Sequence, residues 1–190
     1  MIGGLVLAAG AGTRFGSESK LLAPINGRPL LEHAVVAACA VAELEHVVVV
    51  LGASHEQLLL AVRFGRAQPV VCDEWEAGQS ASLRCGLGAL AGAGRVIVTL
   101  GDQPLIPAAL IRRFVELPAG ARAVYGGRPG HPVVLGAEQI QALQAITGDR
   151  GARDLLTGGL EVECSDLWSG RDVDTTQDLE EIRDEARAVV

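Results

Sequence analysis

The sequence has 190 residues, of which 49% are hydrophobic and 21% charged, and its formal net charge is -7. This composition is typical of a folded globular chain, which we expect to form a single domain over residues 1–190, and it excludes an intrinsically disordered protein. The excess of acidic over basic residues argues against a nucleic-acid partner, since a nucleic-acid-binding domain needs a concentrated basic face.

Short β-branched runs alternate with segments of helical periodicity along the chain, and this alternation is the pattern of an α/β protein. Helices are predicted after Pro29, Gly78 and Pro107, and after Thr175, where Thr175-Thr176-Gln177-Asp178 resembles a capping box. The predicted strands are residues 4–8, 46–51, 69–72, 95–100, 121–125, 132–135 and 161–165. The first, second and fourth of these runs are nearly all apolar, as expected of central strands buried on both faces.

The four cysteines show neither a C-x-x-C pair nor the spacing of zinc ligands, so we expect free thiols in a reducing compartment. The opening apolar run lacks the positively charged region of a signal peptide. The next apolar run, residues 47–51, is far shorter than the ~20 residues of a membrane-spanning helix. The sequence therefore predicts a cytoplasmic protein without a membrane segment.

A glycine-rich stretch, Gly10-Ala11-Gly12, follows the first predicted strand, where glycine lets backbone N–H groups approach a phosphate closely. Arg14 and Lys20 follow it and supply two positive charges. The spacing does not fit a P-loop, and Phe15 stands where a dinucleotide-binding loop has its third glycine. From these residues alone, an ordinary strand-to-helix turn with incidental charges stays open as the alternative.

An acidic motif, Gly101-Asp102-Gln103-Pro104, follows the apolar strand predicted at residues 95–100. Because open α/β sheets bind ligands at the carboxyl ends of their strands, Asp102 is expected to face the binding crevice. Capping of the helix that begins near Pro107 is its alternative role. Mg²⁺ is usually held by one or two carboxylates together with substrate phosphates, so Asp102 beside a glycine loop is a candidate metal ligand.

The run LAAGAGTRFG, residues 7–16, together with Lys20, resembles the signature of nucleotidyltransferases that activate sugars and cofactors, in which the loop wraps an NTP triphosphate. This resemblance implies catalytic roles for Arg14, Lys20 and Asp102. It also implies that Asp102 and Asp174 bind Mg²⁺, with Asp172 as the alternative ligand. The nucleotide-binding residues that it implies here are Leu7, Ala8, Ala9, Gly10, Gly12, Arg14, Lys20 and Gly101. Members of the family more often have proline where Ser19 precedes the lysine.

Three later segments carry further candidate contacts. GQSASLR, residues 78–84, would open a helix with amides and hydroxyls facing a base or ribose, which implies nucleotide binding by Gln79, Ser80 and Ser82; capping by Ser80 is the alternative. GHPV, residues 130–133, and GDRGAR, residues 148–153, supply an expected acceptor site. Its candidate residues are His131, Arg150 and Arg153. A surface ion-pair turn is the alternative for the two arginines.

Taken in chain order, these motifs are similar to those of molybdenum cofactor cytidylyltransferases, within the MobA-like nucleotidyltransferase family. The resemblance implies a three-layer α/β/α, Rossmann-like, mostly parallel sheet of the nucleotide-diphospho-sugar transferase type. It implies CMP transfer from CTP to the terminal phosphate of molybdopterin, with a recipient molybdoenzyme or its chaperone as partner. Within it, LAAG and GDQP favour CTP over GTP. The alternatives are a guanylyltransferase on the same cofactor, a sugar- or polyol-phosphate nucleotidyltransferase and a non-catalytic cofactor-binding chaperone.

Overall fold

A computed structural model describes residues 1–12, 15, 19–143 and 158–188 of the chain. The strands are β1 Ile2–Ala8, β2 Pro24–Ile25, β3 Arg28–Pro29, β4 His46–Leu51, β5 Gln68–Val71, β6 Arg95–Leu100, β7 Arg122–Tyr125, β8 Arg128–Gly136 and β9 Glu161–Glu163. The α-helices are α1 Leu30–Cys39, α2 His55–Ala61, α3 Gln79–Ala89, α4 Ala108–Val115, α5 Ala137–Leu143 and α6 Thr176–Ala188. Single 3₁₀ turns lie at Lys20–Leu22 and Trp75–Ala77.

Seven of these strands form one central sheet in the order β5-β4-β1-β6-β8-β7-β9, while β2 and β3 form a separate small hairpin. The pairs β1-β4, β1-β6, β4-β5 and β7-β9 are parallel. Strand β8 runs antiparallel to both of its neighbours, β6 and β7. The sheet is therefore mostly parallel, as predicted.

Two apolar clusters cover the two faces of the sheet. Along β1, Val6 joins the cluster that contains α1, α4 and α6, while Leu5 joins the cluster that contains α3 and α5. This division follows from the strand period of two, which points successive side chains to opposite faces. Helices on both faces of the sheet give the three-layer α/β/α architecture, so the predicted fold class is confirmed.

Most predicted elements are present, with several differences. Strand β8 begins at Arg128, four residues before the predicted start, and β9 ends at Glu163 rather than at residue 165. Pro29 and Pro107 directly precede α1 and α4 instead of occupying their first turns. The hairpin β2–β3 and the short helices α2 and α5 were not predicted.

The predicted capping box at the start of α6 is confirmed. The backbone N–H of Asp178 donates to Thr175 Oγ1 at 3.2 Å, and the backbone N–H of Thr175 donates to Asp178 Oδ2 at 2.7 Å. This reciprocal pair satisfies two amides that the helix itself leaves without partners. It fixes the direction in which residues 171–175 enter the helix, and these residues include two of the candidate metal ligands.

The helices and the cysteines can be compared with the prediction of no membrane segment and free thiols. Within the described ranges, none of the helices has the length and apolar character that crossing a membrane requires. Cys39, Cys72, Cys85 and Cys164 are all free thiols. The cytoplasmic location itself stays a prediction.

Gly86 lies where α3 packs most closely on the sheet. A Cβ added there would come within 2.4 Å of Leu5 Cδ1 and 2.7 Å of Val50 Cγ2, both on central strands. We expect Gly86→Ala to lower the free energy of unfolding by about 1–3 kcal/mol, because overpacking forces rigid neighbours apart. Urea denaturation measures this change directly.

Gly88, on the same helix, provides a matched control. Its added Cβ would meet no atom within 4 Å among the described residues, and the residue is exposed. Gly88→Ala is expected to raise the free energy of unfolding by up to ~1 kcal/mol through helix propensity. Equal losses of stability in the two variants would show that close packing at residue 86 is not the cause.

Candidate functional site

The site lies where the carboxyl ends of β1 and β6 meet. The parallel pairing of these strands continues past β6, since the backbone N–H of Gly101 donates to the carbonyl oxygen of Leu7 at 2.8 Å. A Cβ on Gly101 would lie only 2.8 Å from Ala8 Cβ and from Leu31 Cδ1. Glycine at this position therefore lets the end of β6 approach β1 and places Asp102 beside the glycine loop.

Lys20 forms the centre of a charged cluster. Its Nζ donates hydrogen bonds to Asp102 Oδ2 at 2.8 Å and to Asp174 Oδ1 at 2.9 Å. The side chains are 10%, 22% and 40% exposed for Lys20, Asp102 and Asp174, respectively. Three residues that the sequence singled out for one site are thus brought together from the beginning, the middle and the end of the chain.

The segment before α6 is docked onto Asp102 by its backbone. The N–H of Val173 donates to the carbonyl oxygen of Asp102 at 3.0 Å, and the Val173 side chain is fully buried in the core. Asp172 and Asp174 flank this buried residue, and both of their carboxylates reach the site. One oxygen from each of Asp102, Asp172 and Asp174 lies within 4.8 Å of the others.

This cluster has the donor set of a hard divalent cation, for which carboxylate oxygens are the usual protein ligands. Asp102 Oδ1 is buried and has no hydrogen-bond partner among the described residues. No contact among those residues compensates for the hydration that this oxygen loses on burial. Three carboxylates face a single ammonium in the described part of the site. Both features fit a bound cation, and they are compatible with Asp172 as well as Asp174 as a metal ligand.

Burial and charge shift the pKa values of the two central groups. Burial alone would lower the pKa of Lys20, but the attraction of Asp102 and hydrogen bonds to Asp102 and Asp174 outweigh it and raise that pKa above its ordinary value. Burial raises the pKa of Asp102, and the nearby charges of Asp172 and Asp174 add to this effect against the opposing influence of Lys20. The ammonium therefore stays charged at neutral pH, and a further cation would stabilise the ionised form of Asp102.

A small cleft of roughly 230 Å³ lies beside this cluster. It is lined by Leu7, Ala8, Gly10, Gly12, Lys20, Leu21, Asp102 and Asp174. Gly12 has φ +59°, and a Cβ there would lie 3.3 Å from Lys20 Cγ, so the glycine loop rests against the stem of the lysine. The cleft brings together most of the residues that the resemblance associates with the triphosphate.

A larger cavity of about 400 Å³ adjoins the cluster on its other side. Its lining includes Leu7, Gln79, Gln103, Arg128, His131 and Asp172. Tyr125 forms one wall; its hydroxyl donates to the carbonyl oxygen of His131 at 2.5 Å, and its ring packs edge-on against Trp168 at 5.7 Å between centroids. Asp102 and Asp174 line the cleft while Asp172 lines the cavity, so the acidic cluster sits at the boundary of the two spaces.

Some other predicted site residues line neither the cleft nor the cavity, and three fall outside the described residues. Ala9 is buried in the core cluster under α3. Helix α3 begins at Gln79 after Gly78, so Ser80 lies within the first turn and not at the capping position. Ser80 and Ser82 are buried and are not among the described residues that line the cleft or the cavity. Arg14, Arg150 and Arg153 lie outside the described residues.

Gln103 and Arg128 are among the cavity residues that were not singled out from the sequence. Gln103 is only 3% exposed, and its Oε1 is buried without a hydrogen-bond partner within the described ranges. Its position directly after Asp102 was the available signal. Arg128 follows the Gly126-Gly127 turn between β7 and β8 and was missed because the early part of β8 was not predicted.

Comparison with known proteins gives a family and several relatives. The profile of the MobA-like NTP transferase domain matches residues 4–164. Nicotine blue oxidoreductase of Paenarthrobacter nicotinovorans is 32% identical over 191 residues, covering 93% of each chain. Bifunctional protein GlmU of Mycobacterium ulcerans is 40% identical over 120 residues, which are 59% of this chain and 24% of GlmU, so the chain matches only about a quarter of that protein.

Solved structures include Rv0371c from Mycobacterium tuberculosis H37Rv. It has a TM-score of 0.83 at 27% identity, covering 96% of this chain and 97% of that one. A complex of Rv0371c with manganese has a TM-score of 0.79 at 25% identity, covering 96% and 98% of the two chains. These matches extend the likeness beyond the glycine loop to nearly the whole chain.

Proposed function

Because the chain belongs to the MobA-like NTP transferase family, we propose that it transfers CMP from CTP to the terminal phosphate of a molybdopterin-type cofactor and releases pyrophosphate. The observation that carries this proposal is the cluster of Lys20, Asp102, Asp172 and Asp174 between a phosphate-sized cleft and a larger cavity. A reaction between two anionic substrates needs mainly positioning and charge neutralisation, which this arrangement supplies.

The triphosphate of the nucleotide is proposed to lie along the Gly10-Ala11-Gly12 backbone, with Lys20 and Arg14 offsetting its charge. An oxygen of the acceptor phosphate attacks the α-phosphorus and forms the new P–O bond. The bond from the α-phosphorus to the bridging oxygen breaks, and its electron pair leaves with pyrophosphate. Since the attacking oxygen is already anionic, no side chain has to remove a proton from it, and a site without a catalytic triad is sufficient.

Asp102 and Asp174 are proposed to hold Mg²⁺, with Asp172 as a further candidate. The metal, when bound, supplies positive charge against the phosphate oxygens. Asp102 Oδ1, which lacks a hydrogen-bond partner in the part of the chain that the structure describes, and the convergence of three carboxylates support this assignment. The manganese complex of Rv0371c supports a divalent metal in a relative of the same fold.

The acceptor is proposed to occupy the larger cavity. Its volume of about 400 Å³ falls within the range of small-molecule sites, and its walls are partly apolar, from Leu83, Val133 and the Tyr125 ring. Arg128 and His131 add polar groups suited to an anionic heterocycle. In this arrangement Asp172 lies beside the reacting phosphate.

A recipient molybdoenzyme, or its chaperone, would then take up the product.

A pyrophosphate-release assay with CTP, GTP, ATP and UTP, each with and without molybdopterin, tests this proposal. We expect release that depends on CTP, molybdopterin and Mg²⁺ together. Preference for GTP would identify a guanylyltransferase, and release with a sugar or polyol phosphate would identify a different acceptor. Binding of molybdopterin without release from any NTP would contradict the proposal and identify a non-catalytic carrier.

A second candidate function is reduction of a heteroaromatic compound, and the 32% identity to nicotine blue oxidoreductase across 93% of both chains favours it. Oxidation of NADH or NADPH in the presence of such a compound tests it. The absence of the third glycine of a dinucleotide-binding loop, with Phe15 in its place, counts against it. Removal of the Asp102 carboxylate should stop nucleotidyl transfer, whereas hydride transfer has no need of that charge.

A further inference from the structure

Lys20 is the single lysine of the sequence, although the chain has 16 lysine and arginine residues in all. Its ammonium lies 2.8 Å from Asp102 Oδ2 and 2.9 Å from Asp174 Oδ1. The carboxylates that would hold a divalent cation are therefore already paired with a cation of the protein itself. An arginine fork would be bulkier and planar, whereas an ammonium is a compact point charge on a flexible stem that can move.

We propose that Lys20 and the divalent cation compete for Asp102 and Asp174, so that the site binds its metal tightly only together with nucleotide. This inference rests on the proposed nucleotidyl transfer for the identity of the ligands. It extends that function by assigning Lys20 a second place in the site, as the counter-ion of the metal ligands before substrate binds. Lys20 then contacts the phosphates only after it leaves the two aspartates.

The surroundings of Lys20 explain why the metal alone displaces it poorly. The side chain is only 10% exposed, and the loop at Gly12 covers its stem. If the ammonium left both carboxylates without finding a new partner, it would remain buried with no opposite charge beside it. Burying an unpaired charge has a high free-energy cost. Phosphates lying on the glycine loop would offer the missing partner on the other side of the stem.

The competition makes metal and nucleotide mutually dependent. Each ligand raises the affinity for the other by the same factor, since linkage between binding free energies is reciprocal. Couplings of this kind are commonly 5- to 150-fold, so about tenfold is a reasonable expectation. The consequence is that Mg²⁺ fills the site without nucleotide only at concentrations about tenfold higher than it needs when nucleotide is bound.

Binding of Mn²⁺ alone, followed by the electron paramagnetic resonance signal of the free ion, tests the competition without nucleotide or turnover. The variants are Lys20→Met, which removes the charge, and Lys20→Arg, which keeps it. We expect Lys20→Met to bind Mn²⁺ about tenfold more tightly than wild type, and Lys20→Arg to remain near wild type. Equal or weaker Mn²⁺ binding by Lys20→Met would overturn the inference, as would absence of binding to both wild type and Lys20→Met.

The unmodified protein gives a second readout that does not depend on a variant folding. Because Lys20 is the only lysine, ¹³C-lysine labelling yields one side-chain ε-methylene resonance. Mg²⁺ should shift this resonance over the same concentration range in which it raises the melting temperature. Stabilisation by Mg²⁺ with an unmoved lysine resonance would overturn the competition. A failed pyrophosphate assay would remove the proposed function and leave both of these results unaffected.

Discussion

Asp102→Asn is expected to reduce pyrophosphate release from CTP by at least about 10²–10³-fold, the usual loss on removing one preorganised electrostatic group. Asparagine keeps the shape of the side chain but removes the charge that pairs with Lys20 at 2.8 Å and that is proposed to bind metal. The fold should survive, because Lys20 keeps Asp174 as a partner and the burial cost of the Asp102 carboxylate is removed. Turnover and thermal unfolding measured on the same preparation separate the two effects.

A matched control is Asp166→Asn. Asp166 is exposed and pairs with Arg113 at 3.5 Å, away from the acidic cluster, so its loss should leave turnover unchanged. Wild-type turnover by a folded Asp102→Asn protein would remove Asp102 from the metal site. Equal losses in the two variants would instead point to a general effect of net charge.

Asp174→Asn and Asp172→Asn should differ strongly, although the two residues are neighbours in the same cluster. Asp174 is less exposed and lies 2.9 Å from Lys20, whereas Asp172 is exposed and lines the larger cavity. We expect Asp174→Asn to lower kcat by about 10²-fold, and Asp172→Asn to act mainly on the KM of the acceptor by about tenfold. Steady-state kinetics with each substrate varied in turn measures both quantities.

The reverse order would contradict this assignment. A larger loss of kcat in Asp172→Asn than in Asp174→Asn would make Asp172 the second metal ligand. It would also mean that the pairing of Asp174 with Lys20 is structural. Thermal unfolding of both variants shows whether either loss of activity comes from unfolding.

Much of the fold could be predicted because local signals agreed with the final structure. The runs that form β1, β4 and β6 are apolar because both faces of these strands are covered, and the capping box at Thr175 marks the start of α6. The start of β8 could not be predicted in this way. Its first residues are Arg128-Pro129-Gly130-His131-Pro132, which have low strand propensity, and only pairing with β7 makes them a strand.

Lys20, Asp102 and Asp174 were singled out from the sequence as site residues, but their contacts with one another were not. Asp102 and Lys20 were recognised from motifs at the ends of predicted strands, and the parallel pairing of β1 with β6 brings those ends together. The bond between Lys20 and Asp174 spans 154 positions in the sequence, so no local spacing reveals it. The motif assigned Lys20 to the phosphates, whereas the structure shows it held by the carboxylates.

The activity proposed for this site is transfer of a nucleotidyl group onto a phosphorylated acceptor. Incubation with molybdopterin and CTP labelled at its α-phosphate tests it most directly. We expect the label to appear on the molybdopterin product, with an equal amount of unlabelled pyrophosphate, and we expect Asp102→Asn to prevent both. Label that remained in CTP, or that appeared only as free CMP, would contradict it.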